Sequence, residues 1–133
     1  MTVYHLLLLG VAAIVAFAML RPLLLGGKRL SVADAQARLA EGGAVLVDVR
    51  EPGEWRAGVA KPAYLLPLSD LRGPRNRWAP FLAANKEKLI LVYCVSGIRS
   101  GQAAIVLRRE GFNVANIGSY HRWAGAGLPT RQP

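Results

Sequence analysis

The chain has 133 residues, of which 53% are hydrophobic, and a formal net charge of +9, with one cysteine and two histidines. That length accommodates one domain; a lone cysteine forms no internal disulfide and favours a reducing compartment; and Cys94, His5 and His121 are too few and too far apart for a zinc cluster, so neither metal nor cofactor is expected. The basic residues (Arg21, Lys28, Arg29, Arg72, Arg75, Arg77, Lys86, Lys88, Arg108 and Arg109 among them) are scattered, with no basic helix or aromatic stacking motif. Nucleic acid is therefore not an expected partner, and a solvated surface with some attraction to anionic lipid or small anions is.

Leu6 to Leu20, LLLLGVAAIVAFAML, carries no polar side chain. With its flanks the run reaches the roughly 20 residues that cross about 30 Å of hydrocarbon. His5 and Arg21 then fall near the two interfaces, where a long arginine can snorkel. Residues 1–25 are expected to be a transmembrane helix with its flanks, because a domain this small has no room for a core helix that is apolar on every face. No positive side chain precedes Leu6, which argues against a signal peptide, although Ala16–Ala18 offers a cleavage site. Arg21, Lys28 and Arg29 follow the span, so the positive-inside rule puts the N-terminus outside and the rest of a single-pass protein in the cytoplasm. Ala12 and Ala16 form a small-xxx-small pair. Residues 26–30, with Gly26 and Gly27, are a short flexible linker that keeps the domain near the membrane.

The remainder, residues 31–130, alternates helix-like and strand-like runs. Ser31 followed by Asp34 has the form of an N-terminal cap, VADAQARLAEGG is a short helix, and Gly42–Gly43 stops it. Ala44–Val49 and Leu89–Tyr93 are continuously apolar strands of the kind buried on both faces of a parallel sheet. Pro74 and Pro80 limit the region between them to short helical turns, one at Pro80–Asn85. Ser100–Arg109 is a helix stopped by Gly111, and Phe112–Ile117 is a further strand. Such alternation implies an α/β fold with a mostly parallel sheet flanked by helices, whose ligands bind at the carboxyl ends of the strands.

Cys94 stands at such an end. Between it and the helix that follows, Val95–Ile98 must turn tightly, and Gly97 can adopt a positive φ or let its backbone approach a bound group. Successive amides in that turn, the helix N-terminus and the charge of Arg99 all favour a thiolate and, equally, an anionic sulfur adduct on it. The plain alternative is a buried structural cysteine. A dyad with His121 would need the fold to bring the two together. Four residues separate Cys94 from Arg99. Cysteine phosphatases place one more between the two, and the tighter loop suits a terminal sulfur atom better than a tetrahedral phosphate.

On these residues the chain resembles the rhodanese family of single-domain sulfurtransferases. CVSGIRS is similar to that family's active loop, LVDVREPGEW (Leu46–Trp55) to its first signature, and VANIGSYHRWAGAGLPT (Val114–Thr130) to its C-terminal signature. The resemblance covers about Leu30 to Pro129. It implies a rhodanese-like fold and covalent, ping-pong sulfur transfer. Cys94 would take sulfane sulfur from a small anionic donor such as thiosulfate or a persulfide and pass it to a thiol or protein acceptor. The loop backbone at Val95, Ser96, Gly97, Ile98 and Ser100 would hold the persulfide, Arg99 would attract the donor, and Asp48 and Arg50 would support the site. A surface ion pair is the other reading of Asp48 and Arg50. Where the family has His and Gly in its run before a proline, Val59 and Pro62 stand here, and Ser119 replaces a glycine. Trp55, Tyr120 and Trp123 are expected to pack rather than react. Two alternatives keep the same fold: a non-catalytic, membrane-tethered interaction module, and a phosphatase or arsenate reductase.

Overall fold

The computed structural model describes the backbone of residues 2–26 and 29–133, and the side chains of residues 2–18 and 29–133. A first helix, α1, runs Val3–Gly26. Every residue from Thr2 to Ala18 is exposed, so this stretch is not covered by other described residues. The apolar run whose side chains are described stops at Ala18, and among the described residues no helix is long and apolar enough to cross a membrane. Arg21 and the other side chains at the end of the expected span, and Gly27 and Lys28 of the expected linker, lie outside the described residues.

From Arg29 onward the elements follow in the order α2 (Val32–Ala40), β1 (Ala44–Asp48), a 3₁₀ helix (Pro52–Ala57), β2 (Val59–Ala60), β3 (Ala63–Leu65), α3 (Leu68–Leu71), α4 (Trp78–Ala84), β4 (Leu89–Cys94), α5 (Ile98–Arg109), β5 (Val114–Ser119), α6 (Tyr120–Gly125) and β6 (Thr130–Arg131). Four strands form a parallel sheet in the order β3-β1-β4-β5, and β2 pairs antiparallel with β6 beside it. This is the α/β architecture with a parallel sheet flanked by helices that is expected of strands that are apolar throughout. Strand alternation sends Val45, Val47, Ile90 and Val92 to a core under α3, α4 and α5, where Leu71, Trp78, Phe81, Ala103 and Leu107 meet them. Leu46, Leu91, Tyr93, Ala115 and Ile117 point the other way, against Ala35 of α2 and Trp123 of α6. Both faces are covered, so neither has a polar stripe.

Several boundaries differ from the sequence expectation for identifiable reasons. The Ser31 hydroxyl accepts from the Asp34 amide at 3.1 Å, as a cap should. β4 runs one residue further, to Cys94, and α5 starts at Ile98 rather than Ser100. Gly97 is itself the residue before the helix, with φ of 92°, and its missing Cβ shortens the turn. α4 begins at Trp78 rather than Pro80, because the Asp70 carboxylate accepts from the amides of Asn76, Arg77 and Trp78, each at 3.0 Å, and caps the helix from a distance. Pro80 then falls in the first turn, where an absent N–H is not missed. α5 closes at Gly111, whose φ is 94°, and the Phe112 amide returns to the Leu107 carbonyl. That delays β5 until Val114. β2, β3 and β6 have two or three residues each, too few to show a period in sequence; they exist because a neighbouring strand offers them a ladder.

Leu107 has no exposed surface and joins α5 to the sheet. Leu107→Ala is expected to destabilise the protein by about 2–5 kcal/mol, the range for a cavity left by a fully buried leucine. Urea unfolding followed by tryptophan fluorescence measures it, and an unchanged midpoint would remove α5 from the core as drawn.

Candidate active site

The site is built at the carboxyl end of β4. The buried strand delivers Cys94 with no exposed surface, and the chain must then reverse within Val95–Gly97 to start α5. Three donors converge on the sulfur: the Gly97 amide at 3.0 Å, the Ser100 amide at 3.4 Å and the Ser100 hydroxyl at 3.4 Å. Burial pushes the thiol pKa up, but the hydrogen bonds from the Ser100 hydroxyl and from the amides of Ser100, Gly97 and Ser96 outweigh it, so the pKa falls below that of an ordinary cysteine. The flanking Val95 and Ile98 side chains are 53% and 66% exposed and rim the loop.

Asn116, on β5, shapes this loop, and sequence reasoning assigned it no role. Its side-chain amide donates to the Gly97 carbonyl at 2.9 Å, and its Oδ1 accepts from the Gly118 amide at 2.9 Å and lies 2.8 Å from the Ser100 Oγ. A β-bulge aims it: Val92 pairs with Asn116 and Tyr93 with Gly118, so Ile117 is an extra residue on β5. The Ser100 hydroxyl has a single proton for two acceptors. It turns to the sulfur when Cys94 is ionised and to Asn116 Oδ1 when it is not. Asn116 keeps the Gly118 amide in either state, so ionising the thiol strands no buried acceptor.

A second chain of contacts ties the end of β1 to the same loop. Asp48 and Arg50 are buried at 0% and 3% exposure, so they are not the surface ion pair considered above. Arg50 Nε and Nη2 donate to the Asp48 carboxylate, with Nη2–Oδ2 at 2.7 Å, and Nη2 also donates to the Gly58 carbonyl at 2.8 Å. The guanidinium lies 4.6 Å from the Tyr120 ring centre, and Tyr120 in turn stacks on Tyr93. Gly58, with φ of 111°, has no room for a Cβ, which would meet the Tyr120 hydroxyl oxygen at 2.6 Å. Held this way, the 3₁₀ helix Pro52–Ala57 presents Glu54 to Arg99, and the two form a bidentate pair at 2.5 and 2.8 Å. The hydrogen bond from Arg99 leads a set of effects that lowers the Glu54 pKa to about 2 despite some burial, so the pair stays charged throughout the neutral range.

The structure thus brings Cys94, Val95, Ser96, Gly97, Ile98, Arg99 and Ser100 into one loop, with Asp48 and Arg50 one layer behind. It adds Glu54 and Asn116. Both stand inside motifs already singled out, Glu54 in Leu46–Trp55 and Asn116 in Val114–Thr130, but their roles were not legible there, because the fold carries Glu54 to Arg99 and only the bulge turns Asn116 inward. The donors to the sulfur come from the loop itself, Gly97 and Ser100 foremost, while His121 lies exposed on α6, so no cysteine–histidine dyad forms. Val59, which replaces the family's histidine, is fully buried in β2, and Pro62 is exposed in the turn after it. Trp55 and Trp123 are buried packing residues. The rate of Cys94 alkylation by iodoacetamide is expected to rise with pH around a midpoint below that of free cysteine. Ser100→Ala should move that midpoint upward by removing a donor to the thiolate, and a midpoint that stays in place would show that the hydroxyl does not stabilise the anion.

Comparison with known proteins agrees with this geometry. The rhodanese-like domain family matches residues 31–126. The uncharacterised protein YqhL of Bacillus subtilis is 36% identical over 84 residues, covering 62% of this chain and 62% of YqhL. The tRNA uridine(34) hydroxylase of Salmonella paratyphi B is 32% identical over 111 residues, covering 79% of this chain. The chain spans only 32% of that hydroxylase's length. Among solved structures, a rhodanese-related protein from Thermoplasma volcanium superposes with a TM-score of 0.67 at 27% identity, covering 80% of this chain and 99% of its own. A human single-domain sulfurtransferase gives a TM-score of 0.62 at 28% identity, covering 73% and 95%.

Proposed function

The chain belongs to the rhodanese-like domain family, and from that premise we propose that it is a sulfurtransferase that moves sulfane sulfur from thiosulfate or a persulfide to a thiophilic acceptor through a persulfide on Cys94. The observation that carries this reading is the convergence of the Gly97 amide and the Ser100 amide and hydroxyl on the Cys94 sulfur. The Cys94 thiolate attacks the outer sulfur of the donor. A new S–S bond forms, the donor's own S–S bond breaks, and its electron pair leaves with sulfite, or with a thiolate when the donor is a persulfide. The terminal sulfur of the resulting persulfide is then taken by an acceptor thiolate, and Cys94 regains its negative charge. No external oxidant or reductant enters either half-reaction. The backbone of Val95, Ser96, Gly97, Ile98 and Ser100 holds the anionic sulfur, while Asp48 and Arg50, through Glu54, set where Arg99 and the start of α5 lie.

A second reading, a non-catalytic interaction module, is favoured by the absence of exposed surface on Cys94. Exposure to thiosulfate separates the two. The catalytic reading expects the protein to gain the mass of one sulfur atom, to lose it to cyanide, and to show neither change as Cys94→Ser, whereas the absence of any adduct with thiosulfate or a persulfide donor would leave the module. tRNA uridine(34) hydroxylation is named for relatives of which this chain spans 25–32%, and it is not carried over.

The reading also includes a membrane anchor. From Leu6 to Ala18 α1 carries no polar side chain, and Leu6, Leu7, Leu8, Leu9, Val11, Ile14, Val15 and Phe17 are all more than half exposed. Leaving that surface in water is unfavourable by about 25 cal/mol per Å², and a bilayer removes the cost. Arg21, Lys28 and Arg29 follow the apolar run, which favours a single pass with the N-terminus outside and the catalytic domain in the cytoplasm. The full chain should stay in the membrane pellet after alkaline carbonate washing and a chain lacking residues 1–25 should not; recovery of the full chain in the wash would refute the anchor.

A further inference from the structure

The pairing of Arg99 with Glu54 leaves a question about charge. An anionic donor needs positive potential at the mouth of the loop, and the cation that sequence position nominates is already neutralised by a carboxylate on two hydrogen bonds. We propose that Arg29 and Arg122 are the residues that recruit the anionic sulfur donor, deepening the sulfurtransferase reading on which the proposal rests.

Arg29 comes from the segment ahead of α2, and its guanidinium lies directly on the Cys94 loop. A Cβ placed on Gly97 would come within 2.8 Å of Arg29 Nη2 and 3.3 Å of its Cζ. That same position is 3.3 Å from the Cα of Gly118, and a Cβ on Gly118 would stand 3.6 Å from Arg122 Cδ and 3.7 Å from its Nη1. The two arginines therefore bracket the place where the loop glycine meets β5, and the amide of Gly97 is the shortest hydrogen bond to the Cys94 sulfur. Arg29 is held there by its neighbour: the Leu30 amide donates to the Asn116 carbonyl at 3.1 Å, and the Leu30 side chain packs on the core beneath α2 and α6.

Neither guanidinium is neutralised. The chain has eight acidic residues, all among the described residues, and the ion pairs they form are Arg50–Asp48, Arg75–Glu110 and Arg99–Glu54. Both arginines are exposed. Two unpaired planar forks beside a thiolate suit a small oxyanion, whose oxygens each fork can bind in pairs while the sulfane sulfur faces Cys94. The absence of a side chain at Gly97 is what lets the Arg29 fork approach the backbone so closely.

The test uses the full chain in a zwitterionic detergent at low salt, comparing Arg29→Gln, Arg122→Gln and the double variant. The readout is the ratio of Cys94 alkylation rates by iodoacetate, an anion, and iodoacetamide, its neutral counterpart. Each single variant is expected to lower the ratio about threefold and the double about tenfold, with the difference fading at high salt as the charges are screened. Arg29→Lys should keep most of it, and the thiosulfate KM should rise in parallel with the fall, with kcat little changed. A ratio that stays constant in the double variant overturns the proposal, as does an equal slowing by both reagents, which reports damage to the thiol rather than loss of anion recruitment. If the wild-type protein takes no sulfur from thiosulfate while the ratio still falls in the variants, the sulfurtransferase reading fails and the assignment of the anion-recruiting arginines stands.

Discussion

The site depends on one short turn in which backbone amides point inward at a sulfur atom. Cys94 sits at the end of a strand with no exposed surface, where a thiol would ordinarily resist ionisation. The amides of Gly97 and Ser100 and the Ser100 hydroxyl reverse that preference. Their advantage lies in being fixed before any charge appears: the donors already point at the sulfur, so none of the reorganisation that water would need accompanies ionisation.

The turn in turn depends on elements distant in sequence. Asn116 holds the Gly97 carbonyl from β5, with its orientation set by a one-residue bulge. Arg50, buried against Asp48 and under Tyr120, anchors the 3₁₀ helix that carries Glu54, and Glu54 fixes Arg99 at the start of α5. Ion pairs with one buried partner removed leave an uncompensated charge, typically at a cost of about 3–5 kcal/mol, so Asp48 and Arg50 are constrained as a pair. A charge-neutral Arg99–Glu54 unit orients the loop without attracting ligands strongly, and the attraction falls to cations outside it.

α1 makes a different kind of demand. Its described residues expose apolar side chains in every direction, while the domain that follows buries its own on both faces of the sheet. The two parts call for different surroundings, and Arg29 stands where they join, touching the reactive loop.

The local order of residues was sufficient to determine the alternating α/β order, the parallel sheet, the apolar run at the N-terminus and the tight turn after Cys94, because each is encoded by neighbours in sequence: uninterrupted apolar strands, a glycine after a cysteine, a cap before a helix. The burial of Asp48 and Arg50, the short strands β2, β3 and β6, the inward-facing Asn116, the pairing of Glu54 with Arg99 and the placement of Arg29 and Arg122 were decided only by the tertiary structure. Each of these joins residues separated along the chain, and a side chain's charge has an effect only relative to the partner that folding brings to it. Arg99 shows the difference most clearly: its position beside Cys94 could be read from spacing, but its neutralisation came from a carboxylate that the fold carries in on the 3₁₀ helix after β1.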